Sequence, residues 1–108
     1  PVKLIVVGGD KGRAALVERF GALAEEMGFE GAWILTGVRP PYRTLREIAS
    51  AAQDADVILL HHAVGKAMRR EVPALGEKFD LPVREAPRLG SSGIEQEVLR
   101  SLKEAFEE

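Results

Sequence analysis

The sequence predicts an α/β fold built on a four-stranded parallel sheet. Three observations lead there: four short apolar runs, four longer segments with helical periodicity, and the strict alternation of the two along the chain. Right-handed crossovers leave few arrangements, and the order 2-1-3-4 puts the two most apolar runs in the centre. The expectation is a small three-layer sandwich, Rossmann-like or flavodoxin-like, with four helices and a single domain over residues 1–108.

Leu4 to Val7 is a continuous β-branched run closed by Gly8-Gly9, the pattern of a strand buried on both faces. Asp10 to Met27 then changes period, with Leu16, Phe20, Leu23 and Met27 at helical spacing, Val17 and Ala24 widening the stripe, and Gly28 ending it. Gly31 to Leu35 is the second strand. Arg39-Pro40-Pro41 is loop, because proline lacks a donor and pushes its predecessor out of helix. Tyr42 to Gln53 is the second helix, with Leu45, Ile48, Ala49 and Ala52 on one side. Val57 to Leu60 is the third strand, followed directly by His61-His62.

Val64 to Phe79 reads as helix, with Pro73 predicting either a kink or a second short helix. Leu81 to Glu85 is short and polar, which suits a sheet edge. Ser92 with Glu95 forms a capping box for the last helix, and Ile94, Val98, Leu102 and Phe106 supply its apolar stripe. The second strand, containing Trp33, is unusually apolar for an edge. A partner subunit or a packed helix would cover it.

The composition narrows the function. The 108 residues are 45% hydrophobic and 30% charged, enough to bury a core without metals or staples. No apolar run approaches the ~20 residues of a bilayer-spanning helix, and the first residues do not read as a signal peptide. The absence of cysteine excludes disulfides, thiol catalysis and zinc–thiolate sites, and the cytoplasm is the expected compartment. Fifteen basic and seventeen acidic residues give a net charge of −2, which argues against a general nucleic-acid coat.

In open parallel sheets ligands bind beyond the carboxyl ends of the strands, where strand order reverses. Here that point lies between strands one and three. The segments expected to converge there are Gly8-Gly9-Asp10-Lys11-Gly12-Arg13, His61 to Lys66 and, further out, Arg88 to Ser92, flanked by Thr36 to Arg43 with Gly37 and Arg39. The glycines let the backbone approach a ligand, and free amides at a helix start favour negative charge. Neither the GxxxxGK[ST] nor the GxGxxG spacing is present, so the loop is not a P-loop or a dinucleotide fingerprint. A tight turn that simply needs glycine accounts for it equally well.

Lys11, Arg13, Arg43 and Lys66 sit near helix starts, where a cation opposes the dipole. With Arg39 and Arg88 they would make an electropositive mouth suited to phosphate or carboxylate. Each alone reads as a solvated surface residue. His61 and His62, adjacent at a strand end, are expected on opposite sides and so not to chelate one ion. One of them facing the crevice as a donor or proton-transfer group is the functional reading; one packed and one solvated imidazole is the structural one. Ser92 is better explained as a cap than as a nucleophile, while Ser91 can donate to a phosphate.

Assembled, these residues resemble a bacterial family of Rossmann-like domains, domain of unknown function 2325. The likeness rests on a first strand ending in Gly8-Gly9, a loop glycine at Gly37, the strand Ala55-Asp56-Val57-Ile58, and the Gly90-Ser91-Ser92 turn before the last helix. That family commonly has a histidine at about the position of Lys66, so the role of that histidine is not carried over. The resemblance implies the fold and the crevice, and no established activity.

The function expected from the sequence is binding of a small anionic, phosphate-bearing ligand, nucleotide-like in kind, by Gly8, Gly9, Asp10, Lys11, Arg13, Gly37, Arg39, His61, His62, Lys66, Arg88, Ser91 and Ser92. The alternatives are an enzyme using His61 or His62 in acid–base or phosphotransfer chemistry, and a ligand-free homodimer through the Trp33 edge. No cofactor is specified, and neither a membrane nor a nucleic acid is the expected partner.

Overall fold

A computed structural model describes residues 1–88 and 92–107. The parallel sheet has the order β2-β1-β3-β4, with β1 Lys3–Gly8, β2 Glu30–Leu35, β3 Val57–Leu60 and β4 Val83–Glu85. The helices are α1 Ala14–Glu26, α2 Pro41–Ala52, α3 Lys66–Lys78 and α4 Ser92–Phe106. The architecture is therefore the α/β sandwich that the alternation of runs predicts, Rossmann- or flavodoxin-like, with α1 and α4 on one face and α2 and α3 on the other.

Strand alternation divides the core in two. Leu4, Val6, Val57 and Leu59 pack under α1 and α4 against Val17, Phe20, Ala24, Leu99 and Leu102. Ile5, Val7, Ile58 and Leu60 pack under α2 and α3 against Ile48, Ala52, Met68 and Val72. Both central strands are buried on both faces, which is why their sequences are unbroken apolar runs rather than alternating ones. Trp33 is covered by α1: Gly21 leaves room for the indole, whose Nε1 donates to Glu25 Oε1 at 2.8 Å.

The helix ends follow local chemistry. After α1, Gly28 takes φ +93°, the Gly28 N–H reaches Glu25 O and the Phe29 N–H reaches Ala24 O, a glycine-dependent stop. Asp80, at φ +54°, closes α3 in the same way.

Four sequence expectations are corrected. The first helix begins at Ala14, not Asp10; Asp10–Gly12 is a 3-10 turn with Lys11 at φ 54°. Pro73 neither splits nor ends α3, which runs through it as one helix with Arg69 O deprived of an intrahelical donor. β4 is shorter than expected, from Val83.

The fourth concerns α4, whose inward stripe is rotated. Ile94 is 42% exposed, while Glu95 joins Leu99 and Leu102 in the interior. Among the described residues no helix is long and apolar enough to cross a membrane.

Candidate functional site

The loops after β1, β2 and β3 do converge at the carboxyl ends of the strands. The first surprise is how tightly they close. Ala63 O accepts the N–H of both Gly9 (2.7 Å) and Asp10 (2.9 Å), stitching the β1 and β3 loops together. Gly9 does this at φ +93°, a conformation that glycine adopts without a Cβ penalty.

Gly37 brings the third loop down: a Cβ there would stand 2.7 Å from Gly9 O. The Thr36 hydroxyl donates to the Asp10 carboxylate, whose other oxygen occupies the space that a Cβ on Gly65 would need. A carboxylate of the chain itself thus lies against the first turn of α3, where the free amides favour negative charge. The gap between β1 and β3, the expected ligand crevice, is filled by main chain and Asp10.

On the α1/α4 side the arrangement differs. A Cβ on Gly8 would stand 2.8 Å from His61 Cβ, so glycine is what lets the imidazole lie over the end of β1. His61 is 1% exposed. Its ring meets Phe20 edge-on, with centroids 5.4 Å apart. His61 Nδ1 accepts the Ala63 N–H at 3.1 Å, which puts the proton of the neutral ring on Nε2. Burial, then the positive charge of neighbouring groups, holds the His61 pKa down to about 4.

His62 was expected on the opposite side. Instead its ring lies beside that of His61, with centroids 4.4 Å apart and planes tilted by 33°. The strand ends at Leu60, so strict alternation no longer governs residues 61 and 62. His62 is half-buried, and its Nδ1 is buried with no hydrogen-bond partner among the described residues. Its pKa is also lowered, first by burial and then by Arg13 and Arg88, with Arg69 acting in the same direction and Glu95 against it.

The cations that lower the pKa of the two imidazoles fall into two groups. Arg69 reaches Glu85 at 2.9 Å and holds His62 O and Val64 O, so it fastens the loop. Arg19 lies 3.8 Å from the buried Glu95 carboxylate. Arg13 and Arg88 have no carboxylate partner among the described residues, and Arg13 makes only a bond from Nε to Asp10 O.

The predicted residues therefore separate. Gly8, Gly9, Asp10, Gly37 and His61 belong to the closed rim, while Arg13 and Arg88 are tied to His62 only through the lowering of its pKa. Lys11 and Lys66 are exposed. Arg39 bonds to Glu47 on the flank of α2, away from both. Ser91 lies outside the described residues, and of Ser92 only its place at the start of α4 is described.

Sequence reasoning missed Arg19, Arg69 and Glu95. Glu95 had a usable signal, being in step with Leu99 and Leu102 at i+4 and i+7. The two arginines had none, since their roles depend on packing across elements. No group of three or more His, Asp or Glu is placed to hold a metal ion among the described residues. No family model, curated protein or solved structure matches the chain.

Proposed function

We propose that this domain binds a small phosphate-bearing ligand, nucleotide-like in kind, in the bay formed by Arg13, His62 and Arg88. The reading rests on one observation: two guanidiniums with no carboxylate partner among the described residues both lower the pKa of a half-buried imidazole whose Nδ1 has no hydrogen-bond partner among them. Cations gathered around a neutral imidazole repel one another and disfavour its protonation. An anion relieves both effects, and a phosphate fits the fork geometry of arginine. His62 then serves as a donor to the ligand, either from its neutral tautomer or after protonation induced by the anion.

A thermal-shift titration with inorganic phosphate, AMP and ATP tests this. The melting temperature of the wild-type domain should rise with ligand concentration, and the rise should vanish in Arg13→Ala/Arg88→Ala. No shift with any of the three, or a shift that survives the double substitution, would remove the reading.

One observation favours a second reading, acid–base or phosphotransfer chemistry. His62 is the imidazole with solvent access and with a buried carboxylate, Glu95, in electrostatic reach. His61, packed on Phe20 with Nδ1 occupied, is the positioning partner in that scheme. Turnover of a phosphate ester that is abolished in His62→Ala and retained in Lys66→Ala would support it.

A further inference from the structure

The outer edge of β2 carries features that ligand binding in the His62 bay leaves unused. β2 ends the sheet, with no described strand beyond it. Glu30 N–H goes to Val2 O and Thr36 N–H to Gly8 O, so the even-numbered residues between them face β1. The backbone groups of Gly31, Trp33 and Leu35 consequently point outward. Natural edge strands are usually blunted by proline, lysine, a bulge or shortness. This one spans six residues, and Glu30 is its sole charge.

A trough runs beside this edge along α2. Its lower part, about 420 Å³, reaches over the start of β1 at Leu4 and Ile5 as well as the small residues Gly31, Ala32, Ala51 and Ala55. Its upper part, about 780 Å³, is lined by Val38 and three arginines, and the two parts meet at Ser50. The charges are segregated by height. Arg39, Arg43 and Arg46 lie at the top, where Arg39 pairs with Glu47, while Glu30 and Asp54 lie at the bottom, where Asp54 pairs with Lys3 at 2.9 Å.

We propose that a second copy of this chain docks here, β2 against β2, antiparallel about a two-fold axis beside Trp33. Symmetry and the segregated charge decide the direction. A parallel neighbour would need a two-fold axis along the strand, which puts the two α2 helices on opposite faces of the joint sheet, whereas an antiparallel one keeps them on the same face and sets Arg43 and Arg46 of each copy against Glu30 and Asp54 of the other, twice over by symmetry. The same pairing satisfies the outward backbone groups of Gly31, Trp33 and Leu35 and continues the sheet through both copies. It requires no ligand in the His62 bay.

Light scattering on the eluted protein, over a range of concentrations, tests this through charge-reversal variants. The wild type should run at twice 11.8 kDa at high concentration, with dissociation promoted by salt. Arg43→Glu/Arg46→Glu and Glu30→Lys/Asp54→Lys should each raise the dimer dissociation constant by about tenfold or more. All four residues are exposed, so circular dichroism should show the fold unchanged.

An equimolar mixture of the two variants should restore a dimer, because each surface then meets its opposite. A wild type that stays monomeric at every concentration, a dimer indifferent to both reversals, or a mixture that fails to reassociate would each overturn the proposal.

Discussion

The two sides of the same sheet end handle charge in opposite ways. Between β1 and β3 the chain satisfies itself: Ala63 O takes two amides, Thr36 and the Asp10 carboxylate pair, and that carboxylate lies against the start of α3. On the α1/α4 side it leaves Arg13 and Arg88 without carboxylate partners and His62 Nδ1 without a hydrogen bond among the described residues. The topological rule names the strand ends as the ligand region, but within that region a ligand adds most where the chain has left polar groups unsatisfied. An anion arriving at the β1–β3 gap would have to displace Asp10.

The largest effect that breaks this contrast should come from His61→Ala. It removes a buried ring packed edge-on against Phe20 and strands the Ala63 N–H, for a loss of about 3 kcal/mol in urea unfolding. Asp10→Ala should cost about 1–2 kcal/mol by the same measurement, since it orphans the buried Thr36 hydroxyl and removes the anion beside α3. His62→Phe should change stability by less than about 1 kcal/mol, or raise it, because it deletes a buried nitrogen that has no partner among the described residues. A loss for His62→Phe as large as that for His61→Ala would erase the distinction between the closed rim and the open bay.

The pH dependence sharpens the comparison. His61 has a folded-state pKa of about 4 against 6.5 unfolded, so between these values the unfolded chain binds more protons. Its contribution is complete above pH 6.5, is lost as pH falls to about 4, and changes no further below. His62 shifts in the same direction. Subtracting the stability profile of His61→Phe from that of the wild type should isolate this loss; parallel profiles would contradict the burial of His61 as a neutral ring.

The sheet order was legible because each strand is a short apolar run and each connection a helix of the right length. The convergence of Gly9, Gly37 and the residues after β3 followed from that order. Its closure did not, because Asp10 reads as an ordinary loop acid until Thr36 and Gly65 are seen beside it.

The placement of His62 was misread for a related reason. Alternation holds within a strand, and the strand stops one residue before the pair begins. In α4, Ile94 looked like core, yet the helix exposes the isoleucine and buries the Glu95 carboxylate beside Arg19. Thr44, buried in the first turn of α2 with a hydroxyl that has no partner among the described residues, gave no signal in the sequence.

The most direct test of the unsatisfied bay is an NMR titration with inorganic phosphate that follows the histidine ring nitrogens and the backbone amides. The account predicts that the ring nitrogens of His62 shift with saturation, that His61 stays largely still, and that Arg13→Ala/Arg88→Ala abolishes the response. Saturable shifts at Asp10, Lys11 and Lys66 with a silent His62 would place the anion in the gap between β1 and β3 and contradict it.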